Sequence, residues 1–163
     1  MATYLTGDTH GNFLRVDTFC RAMETTKSDT MIILGDAGFN YYLNDRDTRA
    51  KEYASAIPVK FFSIHGNHEA RPQRIPSYME GEYCGGKILY EEAFPNILFA
   101  VDGEIYNFDG YKCIVIGGAY SVDKHYRLGR TGGIGGRMSS RTRRSKPWLK
   151  RGLPPYTGTS TLF

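Results

Sequence analysis

Cysteine is scarce in this chain of 163 residues: Cys20, Cys84 and Cys113 are odd in number, far apart and free of any CxxC spacing. A disulfide framework and a cysteine metal site are thereby excluded, and buried reduced thiols are expected. Long apolar runs are lacking as well. The longest, such as Met31 to Leu34 and Ile97 to Val101, fall far short of the ~20 residues that a bilayer-spanning helix needs. A carboxylate at Asp8 precedes any apolar leader core. No secretory signal and no membrane partner are expected, which places the chain in the cytoplasm.

Acidic residues are missing beyond Asp123. Up to that residue 11 Lys and Arg stand against 17 Asp and Glu, whereas residues 124–163 carry 10 basic residues and no acid. The formal net charge of +4 therefore averages an acidic part and a strongly basic one. With 40% hydrophobic and 13% aromatic residues, residues 1–123 have material for one domain with its own core. Residues 124–163 read as a basic, poorly ordered tail. Their few large apolar side chains bury too little to offset an ordering cost of roughly 1 to 2 kcal/mol per residue. Such charge would attract phosphate backbones by counterion release, which makes nucleic acid a candidate partner of the tail. No aromatic interleaving accompanies it.

Residues 3–70 repeat one pattern: a short apolar run, a Gly-containing turn with Asp, His or Asn, then helical periodicity. This is how βαβ units read, and it gives an α/β fold class. Strands are expected at Tyr4 to Thr6, Met31 to Leu34 and Val59 to Ile64. Continuous apolar strands suit a parallel sheet covered on both faces. Between them, Phe13, Val16, Phe19, Cys20 and Met23 form one helical stripe, and Ala50, Tyr53, Ala54 and Ile57 another, with Asn44 as its N-cap and Pro58 as its stop. From Pro72 to Glu92 the periodicity fades, which suggests an irregular surface excursion. Ile97–Val101, Glu104–Phe108 and Tyr111–Ile116 are separated by Asp102-Gly103 and Asp109-Gly110, the signature of an antiparallel meander.

Three polar clusters fall where the parallel strands should end: Asp8-Thr9-His10, Gly35-Asp36 and Gly66-Asn67-His68-Glu69. Loops at the carboxyl ends of neighbouring strands converge on one crevice, so these residues can share a ligand. Asp8 and His10, two apart, can direct a carboxylate oxygen and an imidazole nitrogen at one ion. Asp36 has two oxygens with which to bridge two ions. Asn67 offers an amide oxygen to the second ion, or takes a left-handed turn position. His68 is then placed to hydrogen-bond a substrate oxygen or a leaving group. Mixed N and O donors without thiolate fit Mn, Fe or Zn. His65 reads as a packed strand-end residue, Arg71 and Arg74 as solvated loop arginines, and Tyr41 with Tyr42 as either a base-stacking pair or core cover.

Those motifs, D-x-H, G-D and G-N-H-E in that order, resemble the calcineurin-like metallophosphoesterase family over roughly residues 3–120. The resemblance implies a four-layer αββα sandwich, incomplete in its C-terminal part. It also implies a two-metal centre acting on a phosphoester substrate. Asp8 and His10 would hold the first metal, Asp36 would bridge, Asn67 would hold the second, and His68 would be the catalytic acid or charge stabiliser. The family completes its centre with three further histidines, yet only His125 follows His68. The expectation is therefore a chain truncated or altered after about residue 128, with low metal occupancy and feeble phosphatase or phosphodiesterase turnover; the alternatives are a non-catalytic remnant and a nucleic-acid-binding module that uses the basic tail.

Overall fold

The computed structural model describes residues 1–118 and the backbone of Ser160–Leu162. The element order is β1 (Thr3–Thr6), α1 (Leu14–Ala22), β2 (Thr30–Leu34), α2 (Asp45–Ala56), β3 (Lys60–Ile64), β4 (Tyr78–Tyr83), β5 (Gly86–Glu91), β6 (Ile97–Ala100), β7 (Ile105–Phe108), β8 (Tyr111–Ile114) and β9 (Ser160–Leu162). Six strands form one sheet in the order β1-β2-β3-β6-β5-β4, and β7-β8-β9 form a second. The first four strands of the larger sheet run parallel, while β5 and β4 close it antiparallel. No described helix is long and apolar enough to cross a membrane.

Alternation along the central strands sorts their side chains between two cores, because successive residues of a strand point to opposite faces. Met31, Ile33, Phe61 and Phe99 join Phe13, Val16 and Cys20 of the α1 region and Ala54 and Ile57 of the α2 region. Ile32, Phe62, Ile64, Leu98 and Ala100 turn the other way and meet Tyr106, Phe108, Cys113 and Val115 of the smaller sheet. Helices, large sheet and small sheet make three layers among the described residues, in the order the αββα reading requires. The second helical layer that the αββα reading implies and the tail expected to be poorly ordered lie outside the described residues, save Ser160–Leu162, which pair parallel to β8.

The helical stripes hold only in part. Phe13, Val16 and Cys20 are buried, but Phe19 and Met23 are exposed at 37% and 51%, because α1 ends at Ala22 and its sheet-facing stripe is narrow. In α2, Asn44 caps the helix by accepting the Arg46 N–H, and Ala54 is buried while Tyr53 faces solvent. Coverage of both sheet faces also fails at the edge: Leu5 of β1 is exposed. All three cysteines are free, with Cys20 and Cys113 buried and Cys84 half-buried, and burial raises each thiol's pKa.

Two readings of the chain after β3 need correction. The segment from Pro72 to Glu92 is no irregular excursion, since it contains the β4–β5 hairpin. Its turn is Cys84-Gly85, with φ of +51° and +80°, the paired left-handed conformation that matches strand twist in a two-residue hairpin. The meander is likewise half right. Asp109-Gly110 turns β7 into β8, but Asp102-Gly103 carries the chain from β6 in one sheet to β7 in the other.

Tyr106 fastens the two sheets. Its ring is fully buried, 4.8 Å from that of Phe62, and its hydroxyl donates to the Lys87 carbonyl while accepting the Val101 N–H. Burial pushes its phenol up to about 12. A Cβ on Gly86 would lie 2.7 Å from this ring, so glycine there is a matter of space. Tyr106→Phe should cost about 1–3 kcal/mol by orphaning both backbone groups, and Phe62→Ala about 3–5 kcal/mol by emptying the intersheet core. Urea denaturation of the two variants should show losses in that order.

Candidate metal centre

The site begins where β1 and β2 end. Beyond Thr6 and Leu34 the two segments continue side by side: the Asp8 N–H donates to the Gly35 carbonyl, that of His10 to Asp36 and that of Gly11 to Ala37, at 3.2, 2.9 and 2.8 Å. The Thr9 hydroxyl adds a bond to the Ala37 carbonyl. Asp8, His10 and Asp36 all adopt left-handed backbone, with φ of +51°, +47° and +49°. A non-glycine residue pays for that conformation, and such strain persists only where surrounding contacts dictate it. Asn67, for which this conformation was one reading, is absent from the left-handed set among the described residues.

The outcome is a shared focus. One ligand atom each from Asp8, His10 and Asp36 lie within 4.8 Å of one another. Asp8 and His10 are exposed, whereas Asp36 is only 8% exposed. The loop after β3 comes close enough for the His68 backbone N–H to donate to Asp36 Oδ1 at 2.8 Å. This approach requires Gly66: a Cβ there would lie 1.9 Å from Asp36 Oδ1. Gly38 plays the same part for the first loop, since a Cβ on it would sit 2.2 Å from the Gly11 nitrogen.

Two clefts meet at this point. The larger, about 460 Å³, is lined by His10, Asp36, His68, Glu69 and the Tyr41-Tyr42 pair. The smaller, about 290 Å³, is lined by Asp8, Asp36, His65, Asn67 and Gly117. Asp36 lines both. The imidazoles of His10 and His68 stand edge to face, 5.5 Å apart, on the larger side. Asn67 sits on the smaller side with Asp8, so it and His68, adjacent in sequence, serve different clefts.

Two further groups shape the site. His65 is 2% exposed, as a packed strand-end residue should be. Its ring lies 3.8 Å from Asp102, and its carbonyl accepts the Gly118 N–H. Arg71 is paired with Asp102 at 3.4 Å and lines neither cleft, so its solvated reading gives way to an ion pair. Glu69, quoted in the sequence only as part of a motif, is fully buried. One carboxylate oxygen accepts the Gly38 N–H, and the other has no hydrogen-bond partner among the described residues. Burial first, then the charges of Asp36 and Asp47, push its carboxyl up to about 8. The run Gly66-Asn67-His68-Glu69 gave no sign of this burial.

A carboxyl whose pKa is raised by folding binds its proton more tightly folded than unfolded. Its contribution to stability is therefore complete below the ordinary carboxyl pKa and is lost as pH rises through the folded one. In chelator-treated protein the urea midpoint should fall between about pH 4.5 and about 8, and Glu69→Gln should flatten that fall. An identical pH profile for the variant would refute the buried protonated carboxyl.

With this geometry in place, comparison with known proteins gives one result. The model of the calcineurin-like phosphoesterase family matches residues 1–160, past residue 128 where an altered end was expected. No curated protein and no solved structure matches the chain. A match over nearly the whole length, on a chain whose D-x-H, G-D and G-N-H-E loops converge on one acidic focus, settles the family: the chain belongs to the calcineurin-like phosphoesterases.

Proposed function

We propose that the chain hydrolyses phosphoesters, monoesters or diesters, at the junction of the two clefts, with divalent ions of the Mn, Fe or Zn class as cofactors. The observation that carries this reading is the convergence of Asp8, His10 and Asp36 donor atoms within 4.8 Å in a member of a phosphoesterase family. The donor set fits such ions, since it offers carboxylate oxygens and an imidazole nitrogen without thiolate. Asp8 and His10 would hold one ion, Asp36, the carboxylate common to both clefts, would be shared, and Asn67 would add its amide oxygen to the second. When bound, such ions supply Lewis acidity toward a phosphoryl oxygen and activate water near neutral pH.

The protein's own residues do the positioning. The His68 backbone N–H holds Asp36 in place, while its imidazole faces the larger cleft beside His10. From there it is set to protonate a leaving oxygen or to balance charge on the phosphoryl group. The four side chains named among the described residues are enough for one ion with water completing its shell, and they hold a second weakly. Low turnover follows. Elemental analysis together with a panel of generic phosphomonoesters and diesters tests this. Expected are incomplete metal loading and slow Mn-dependent hydrolysis, abolished in Asp36→Asn and reduced by about 10²- to 10⁴-fold in His68→Ala. Hydrolysis that persists in Asp36→Asn would sink the assignment, and two tightly bound ions with fast turnover would sink its incomplete-centre part.

A further inference from the structure

The phosphoester reading leaves one wall of the larger cleft without a role. Facing His68 stand Tyr41, with its ring 6.5 Å from the imidazole and inclined to it by 28°, and Tyr42, edge to face with Tyr41 at 4.7 Å. Neither ring belongs to either hydrophobic core, and Tyr42 is 41% exposed. Core cover, one of the two readings of this pair, is therefore not their use. The Arg46 guanidinium lies 4.9 Å from the centre of the Tyr42 ring, at the same wall.

The wall is held rigid. The buried Asp47 carboxylate accepts the Tyr42 N–H at 2.9 and 3.1 Å and the Leu43 N–H at 2.7 Å. Leu43 is fixed in left-handed backbone at φ +54°. On the other side the Asn40 carbonyl accepts the Ala70 N–H, and its side-chain oxygen accepts the Tyr78 hydroxyl. The bond from Ala70 ties the aromatic loop to the segment that carries His68 and Glu69, and the one from Tyr78 ties it to β4. A preorganised pair of aromatic rings, one of them carrying a cation over its face, recognises planar rings, because stacking and cation–π attraction are gained there without an ordering cost.

We infer that this wall binds a planar aromatic ring on the alcohol side of the substrate, so that the substrate class is phosphoesters of ring-bearing alcohols, nucleosides foremost. The inference rests on the phosphoester reading of the adjoining centre. A cleft of about 460 Å³ has room for a phosphoryl group beside His10 and His68 together with one ring against Tyr41 and Tyr42. Nucleobases and simple aryl groups present the same π face, and the test separates them.

Calorimetric titration of the full chain, with chelator present so that no turnover intervenes, compares ligands that differ only in the ring. Adenosine 5′-monophosphate is set against ribose 5-phosphate, and benzyl phosphate against cyclohexylmethyl phosphate. In at least one pair the ring-bearing member should bind about tenfold more tightly. The advantage should shrink below about threefold in Tyr42→Ala and Tyr41→Ala and survive in Tyr42→Phe, which keeps the π face. An advantage in the nucleotide pair alone identifies the base as the ring, and one in the benzyl pair identifies any aromatic group. Equal affinities within both pairs, no binding by either ring-bearing ligand, or an advantage untouched in both alanine variants would overturn the inference. Hydrolysis is scored separately on metal-loaded protein. A ring preference without turnover would fault the catalytic reading, and turnover without a ring preference would fault the wall.

Discussion

Three backbone hydrogen bonds, from the Asp8, His10 and Gly11 N–H groups to the Gly35, Asp36 and Ala37 carbonyls, hold the site together. They extend the contact of β1 and β2 past the point where the strands end, and they force Asp8, His10 and Asp36 into left-handed backbone. The loops accept this conformation because the neighbouring loop satisfies their polar groups, which would otherwise be orphaned at the sheet edge. The side chains consequently leave the sheet in one direction and meet. The third loop is fitted to this pair through Gly66, whose lack of a Cβ lets Asp36 receive the His68 N–H.

Behind the loops, the large sheet is what makes their spacing rigid. It is packed by α1 and α2 on one face and by β7 and β8 on the other. The second sheet also reaches the site: the Asp102 carboxylate accepts the Gly117 N–H and pairs with Arg71, and Gly117 packs against His65 so closely that a Cβ would lie 2.7 Å from the ring. The smaller cleft is thus walled jointly by the end of β3 and the segment after β8. The Phe62 and Tyr106 rings that lock the sheets together also hold these walls in register.

Charge is distributed with equal economy. Asp36 and Glu69 approach the same floor from different loops, and the more deeply buried of the two, Glu69, has its carboxyl pKa raised. Two buried carboxylates ionised side by side without a cation would oppose folding. Raising the pKa of Glu69 avoids that conflict.

Much of this was legible in the chain itself. The three parallel strands, the Asn44 cap and the three polar clusters follow from local rules of apolar runs, capping and turns, each acting over a few residues. The order of those clusters gave the family and nominated Asp8, His10, Asp36, Asn67 and His68. The β4–β5 hairpin escaped because its alternation is weak and its turn is Cys84-Gly85, not an Asn-Gly or Asp-Gly pair, and Asp102-Gly103 misled because a turn does not say which sheet the next strand joins. Phe19 and Met23 look like core to a helical wheel, which cannot know how wide a face the sheet covers. Which residues share a cleft, that Asp36 is common to both, that Glu69 lies buried and that Tyr41 and Tyr42 face the site and not the core were decided by tertiary structure alone. These are contacts between loops far apart in the chain, fixed by strand order and by the close approach that two glycines allow, and no local pattern encodes them.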